Sequence, residues 1–107
     1  MYAVLRRIRV QPHLVEEAVQ RIEHGLVPLL KNGSGFVELD IVLVGRDEGV
    51  SISIFETREA AEKGNALSLE WAREQIFPLA QGPAEIIGVG EIVLHQKNEL
   101  EKDGGVS

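Results

Sequence analysis

The 107-residue chain contains no cysteine, which excludes disulfides and thiolate chemistry and leaves its redox compartment unmarked. Basic charge is also scarce. Eleven lysines and arginines stand against 17 aspartates and glutamates, a formal net charge of −6. A nucleic-acid partner needs a basic face to meet phosphates, and the cluster Arg6, Arg7 and Arg9 is too small to provide one. No apolar run approaches the roughly 18 residues of a membrane span. Met1-Tyr2-Ala3-Val4-Leu5 lacks the layout of a secretory signal. The expectation is a cytoplasmic protein with neither nucleic acid nor membrane as partner. Asn32-Gly33-Ser34 fits a glycosylation sequon, but with no secretory signal expected it reads as turn chemistry. The three histidines, His13, His24 and His95, are far apart and have no ligand-spaced companion, so no metal site is expected. No nucleophile elbow surrounds Ser51, Ser53 or Ser68.

What is present describes an ordinary folded domain, 44% hydrophobic and 26% charged. Residues 1–95 carry the pattern, and 96–107 read as a polar tail. Tyr2 to Val10 predicts a strand that stops before Pro12. From His13 the apolar residues recur at helical spacing (Leu14, Val15, Ala18, Val19, Ile22, Leu26, Leu29), until Pro28 and the glycines of VPLLKNGSGF end the run. Phe36–Val44 and Val50–Glu56 predict two further strands joined by Gly45-Arg46-Asp47-Glu48-Gly49. Thr57 is a fitting cap for a second helix, with Ala60, Gly64, Leu67 and Trp71 on its stripe and FPLAQGP at its end. Gly64, unfavourable by about 1 kcal/mol inside a helix, points to a close helix–sheet approach or a bend. Glu85–His95 predicts a fourth strand. Its Gly88-Val89-Gly90 is not a dinucleotide loop, because no helix follows it.

The order β-α-β, hairpin, β-α-β predicts an α+β, ferredoxin-like βαββαβ fold, with two helices on one face of a four-stranded antiparallel sheet. Strand alternation assigns Val37, Leu39, Ile41 and Leu43, with Val50, Ile52 and Ile54, to the helix side. The opposite face takes Phe36, Glu38, Asp40, Val42, Val44, Ser51, Ser53 and Phe55. That row is about half apolar and needs cover, for which a second copy is the simplest source, making a homodimer through the sheet face. Arg7 and Arg9 then have Glu38, Asp40 or Glu91 as partners across the seam. Glu38 and Asp40 also form a carboxylate pair, commonly no more than solvated or salt-bridged.

Two residues stand out. Arg6 shares the helix side of the first strand with Val4, Ile8 and Val10. A guanidinium there calls for a helix glutamate such as Glu70 or Glu74, a solvent-accessible mouth, or an anionic ligand. Trp71, the only tryptophan, lies on the inward stripe of the second helix with Phe77 at its end. It reads either as packed core or as the aromatic wall of a cavity for a planar apolar ligand.

The segments YAVLRRIRV, VPLLKNGSGF, ISIFETREAAEKG and LEWAREQIFPL together resemble the antibiotic-biosynthesis-monooxygenase-like (ABM) domains of the dimeric α+β barrel superfamily, over residues 2 to 95. That resemblance implies a homodimer and a cofactor-free monooxygenase acting on a small aromatic or quinol-like substrate. Trp71 matches the family's helix tryptophan, and Arg6, the odd member of its apolar row, is placed to hold an anionic or enolate oxygen; the expectation is Arg6 and Trp71 as catalytic residues and Arg6, Trp71 and Phe77 as substrate-binding ones, with no cofactor. Polyketide-oxidising members carry an asparagine where this chain has Leu67 and a tyrosine where it has Phe77. Haem-degrading members carry a histidine where Gln81 stands, which disfavours haem degradation. The alternative is a non-catalytic dimeric module that binds a small molecule or serves a structural role.

Overall fold

An apolar start, Tyr2 to Leu5, followed by Ile8 among arginines builds the first strand, β1 (Tyr2–Arg9), one of the two central strands of a four-stranded sheet. A computed structural model describes residues 1–98. The sheet continues through β2 (Phe36–Val44), β3 (Glu48–Phe55) and β4 (Glu85–Glu91), in the order β2-β3-β1-β4 with every neighbour antiparallel. The helical runs Val15–Asn32 and Arg58–Gln75 cross between strands and cover one sheet face, giving the expected ferredoxin-like layout. The fourth strand stops at Glu91 rather than His95, leaving Val93 and Leu94 90% and 77% exposed. Of the expected tail, residues 99–107 lie outside the described residues.

The first helical run is not a single regular helix ended by Pro28. It comprises α1 (Val15–Arg21), a π-helical turn (Ile22–Leu26) and α2 (Val27–Asn32). Buried positions recur every four residues at Ala18, Leu26 and Leu30, with half-buried Ile22 between them. A regular helix of 3.6 residues per turn would rotate such a row away from the sheet, and the wider π turn brings it back. Leu30 is therefore inside and Leu29 outside. The Val27 amide donates to Ile22 O in the π pattern. Pro28 follows in the first turn of the resumed helix, at a position that tolerates proline. The helix ends only at Gly33.

Thr57 caps α3 (Arg58–Gln75) by accepting from the Ala60 amide at 3.1 Å. Gly64 is the point of close approach. A Cβ there would lie 2.3 Å from the Phe55 ring, so its absence is what lets Phe55 sit 2% exposed under the helix.

Strand register corrects the expected faces. Partner residues on adjacent strands share a face, and Val4, Arg6 and Ile8 oppose Ser53, Ser51 and Gly49. The helix side of β3 is thus Phe55, Ser53, Ser51 and Gly49, while Val50, Ile52 and Ile54 lie on the open face. Leu39, Ile41 and Leu43 are on the helix side as expected, opposite Ser53, Ser51 and Gly49. Phe36 joins them opposite Phe55, because a bulge at Val37 shifts the alternation by one. On the β4 pairing Glu91 stands opposite Tyr2 on the helix side, and a second bulge, between Leu5 and Arg6, brings Ile86 opposite Arg6. Glu91 is therefore not available on the open face. Arg7 pairs instead with Glu85 and Glu48 of its own chain.

Candidate functional site

The layer between helices and sheet is filled at one end and hollow at the other. At the hollow end lies an apolar cavity of about 240 Å³. Small side chains make the space: Ser51 and Ser53 on β3, Ala18 on α1, and Ser68 and Ala72 on α3. Leu39, Ile41 and Leu43 of β2 form a greasy flank.

Arg6, Trp71 and Phe77 all line this one cavity. The Trp71 indole is half-buried and rests against Gly25 in the π turn, where an added Cβ would lie 2.8 Å from its Cζ2. The π turn thus does two things: it restores the buried row, and it offers a bare backbone for the indole to lie on. Phe77 opens the 3-10 turn Phe77–Leu79 after α3, half-buried at the cavity edge.

Arg6 projects from β1 into the space under α3. Its Nη2 donates to the backbone O of Asn65 at 2.8 Å and to Asn65 Oδ1. Neither Glu70 nor Glu74 pairs with it; both are exposed, one helical face away from the cavity. Arg6 makes no ion pair among the described residues, and its buried Nε has no hydrogen-bond partner there. Burial pushes the guanidinium pKa below its usual value, the desolvation of a charge with no counter-charge beside it. A guanidinium nevertheless keeps its proton at neutral pH.

Asn65, Ser51, Ser53 and Gly25 were not legible as site residues in the sequence. Asn65 sits among polar helix positions, and the two serines alternate with Val50, Ile52 and Ile54, the apolar row that reads as the buried one. Gly25 alone carried a signal, as a glycine inside an otherwise periodic helical run. Leu67 lies outside this cavity, in a separate groove with Leu29, Lys63 and Gly64. Gln81 is tied to the end of β1, its Nε2 donating to Val10 O at 3.3 Å.

His13, His24 and His95 are exposed and line no part of the cavity. Among the described residues no group of three histidines and carboxylates is placed to hold a metal ion. The lining offers no imidazole for an axial haem ligand, so these residues do not fit haem ligated by histidine. No helix among the described residues is long and apolar enough to cross a membrane.

No protein-family model matches the chain, and no curated protein matches it in sequence. Solved structures do match. The monooxygenase ActVA-Orf6 of Streptomyces coelicolor, in complex with nanaomycin D, superposes with a TM-score of 0.71 at 14% identity over 91% of this chain and 92% of that one. SnoaB, a cofactor-independent oxygenase from Streptomyces nogalater, gives 0.68 at 15% identity over 91% and 97%. MhuD, a haem-degrader from Mycobacterium tuberculosis, gives 0.67 at 20% identity over 91% and 100%. The chain shares the ferredoxin-like fold of these structures. At these identities the likeness extends to the fold and no further.

Proposed function

We propose that the protein is an ABM-like, cofactor-independent monooxygenase acting on a small aromatic or quinol-like substrate bound between helices and sheet. The observation that carries this reading is the 240 Å³ cavity, apolar in most of its lining, with Arg6, held by Asn65 and without an ion pair among the described residues, in its wall. An electron-rich ring fits such a space between Trp71 and Phe77. Arg6 then stabilises the substrate's anionic or enolate oxygen, a charge it meets in a site largely cleared of water. In such a reaction the substrate itself reduces dioxygen: one oxygen atom enters the substrate and the other leaves as water. Arg6 and Trp71 act as the catalytic residues, and Phe77 completes the binding wall.

Oxygen uptake with a panel of quinols and anthrones tests this. Consumption is expected with at least one of them, falling tenfold or more in Arg6→Ala and in Trp71→Phe. Turnover that survives both substitutions would move the chemistry elsewhere. One observation favours the alternative of a non-catalytic binding module. Phe77 and the aliphatic lining lack the hydroxyl or amide that would orient a phenol, leaving Arg6 and the serines as the polar groups.

The active form is a homodimer joined through the open sheet face. Leu5, Val50 and Ile52 occupy its centre and Val42 and Val44 its edge, with no helix over them. A face of this kind needs cover. Arg9, Glu38 and Asp40 make no ion pair among the described residues and are the charges left to meet across a twofold seam. A monomer in sedimentation at micromolar concentration would overturn this assembly. A cytoplasmic location accords with the composition.

A further inference from the structure

Resting on the reading of the cavity as a ligand site, we infer that its ligand is an apolar ring compound bearing a carboxylate, bound head-first at Arg6. The polar groups of the cavity are unbalanced. Nη2 of Arg6 is satisfied by Asn65, a neutral acceptor, while Nε is buried without a partner among the described residues. Ser51 lies directly across the ladder from Arg6, and Ser53 follows it along the same row. Ser68 faces them from α3, and all three serines line the cavity. Their hydroxyls make no hydrogen bond among the described residues. Asp47 also lines the cavity, at the β2–β3 turn, yet forms no ion pair with Arg6.

Arg6 brings a cation with no counter-charge to this patch, and each of the three hydroxyls can turn its one donor toward an anion. Burying a cation this way is costly unless an anion completes it. A single phenolic oxygen accepts too few hydrogen bonds to satisfy the patch. A carboxylate offers two oxygens with about four acceptor sites and matches the planar guanidinium. The remaining lining is aliphatic and aromatic, which suits an uncharged ring body behind the carboxylate.

Calorimetric titration of the full chain with 2-naphthoate, 2-naphthamide and 2-naphthylmethanol tests the inference without relying on turnover, since none of the three is a quinol. Naphthoate is expected to bind about tenfold or more tightly than either neutral analogue. Arg6→Met should erase that preference while the neutral analogues bind as before. Arg6→Lys should restore part of it, and decides the matter if Arg6→Met does not fold. Equal binding of all three compounds overturns the carboxylate while leaving the cavity as a site. A preference that persists in Arg6→Met overturns the role of Arg6. No binding by any of them overturns the cavity reading, and this inference with it.

Discussion

The two ends of the layer between helices and sheet are built from the same strands and the same helix, yet one is solid and the other hollow. At the solid end Phe55 and Val4 are 2% and 1% exposed, and Phe36 meets Phe55 edge-on with ring centroids 5.8 Å apart. At the hollow end the same side of β3 steps down from Phe55 to Ser53, Ser51 and Gly49. β1 correspondingly exchanges Val4 for Arg6. The step in side-chain volume along one strand row separates the two ends, because a packed interior is filled only as far as its residues reach. Both ends also use a glycine to admit a ring: Gly64 for Phe55 and Gly25 for Trp71. Their circumstances differ. The Phe55 ring is 2% exposed at the edge of an outer groove, whereas the half-buried Trp71 indole lines the cavity between helices and sheet.

That contrast can be broken by substitution, and urea denaturation measures each effect. Phe55→Ala should cost the most, about 3–5 kcal/mol, because it empties the centre of the solid end. Gly64→Ala should cost about 1–3 kcal/mol, because the new methyl meets a ring that cannot move, against a helix gain of about 1 kcal/mol. Gly25→Ala should cost about 1 kcal/mol or less, since the indole can tilt into the open space; the same tilt should weaken naphthoate binding severalfold. Equal losses at Gly25 and Gly64 would remove the distinction between the two ends. Ser53→Val should be the mildest, within about 1 kcal/mol of wild type, its added apolar burial offsetting the lost hydroxyl. Calorimetry should nevertheless show ligand affinity falling in Ser53→Val, because the methyls occupy cavity volume. A strongly destabilised Ser53→Val would mean that the hollow end is already filled.

Much of the fold was legible because it rests on local signals. Strand and helix periods, the Thr57 cap and the hairpin between β2 and β3 each follow from residues close in sequence. The structure departs from those local signals at a bulge in β2, at a π turn and in the side of β3 that faces the helices. The bulge at Val37 places Phe36 and Leu39 on one side, and a period-2 pattern cannot express that. Once β3 was assigned by its apolar row, its serines went to the wrong face. Pro28 misled in the same way, since a π turn is invisible to a 3.6-residue period.

Arg6 and Trp71 were conspicuous as a charge on an apolar row and as a lone large aromatic. Their convergence on one cavity was not readable, nor was Asn65 as the partner of Arg6, because both depend on α3 crossing β1 59 residues away in sequence.

By itself, then, the sequence determined the order of elements, the ferredoxin-like connectivity and the residues too polar or too large to be neutral in their places. Those properties depend on local backbone preference and on the hydrophobic period. Only the tertiary structure decided which side of β3 faces the helices, that Arg6 meets an amide instead of a glutamate, and that space remains beside Trp71. Each of these is a difference between volumes and charges contributed by distant segments, and it comes into existence only when those segments pack.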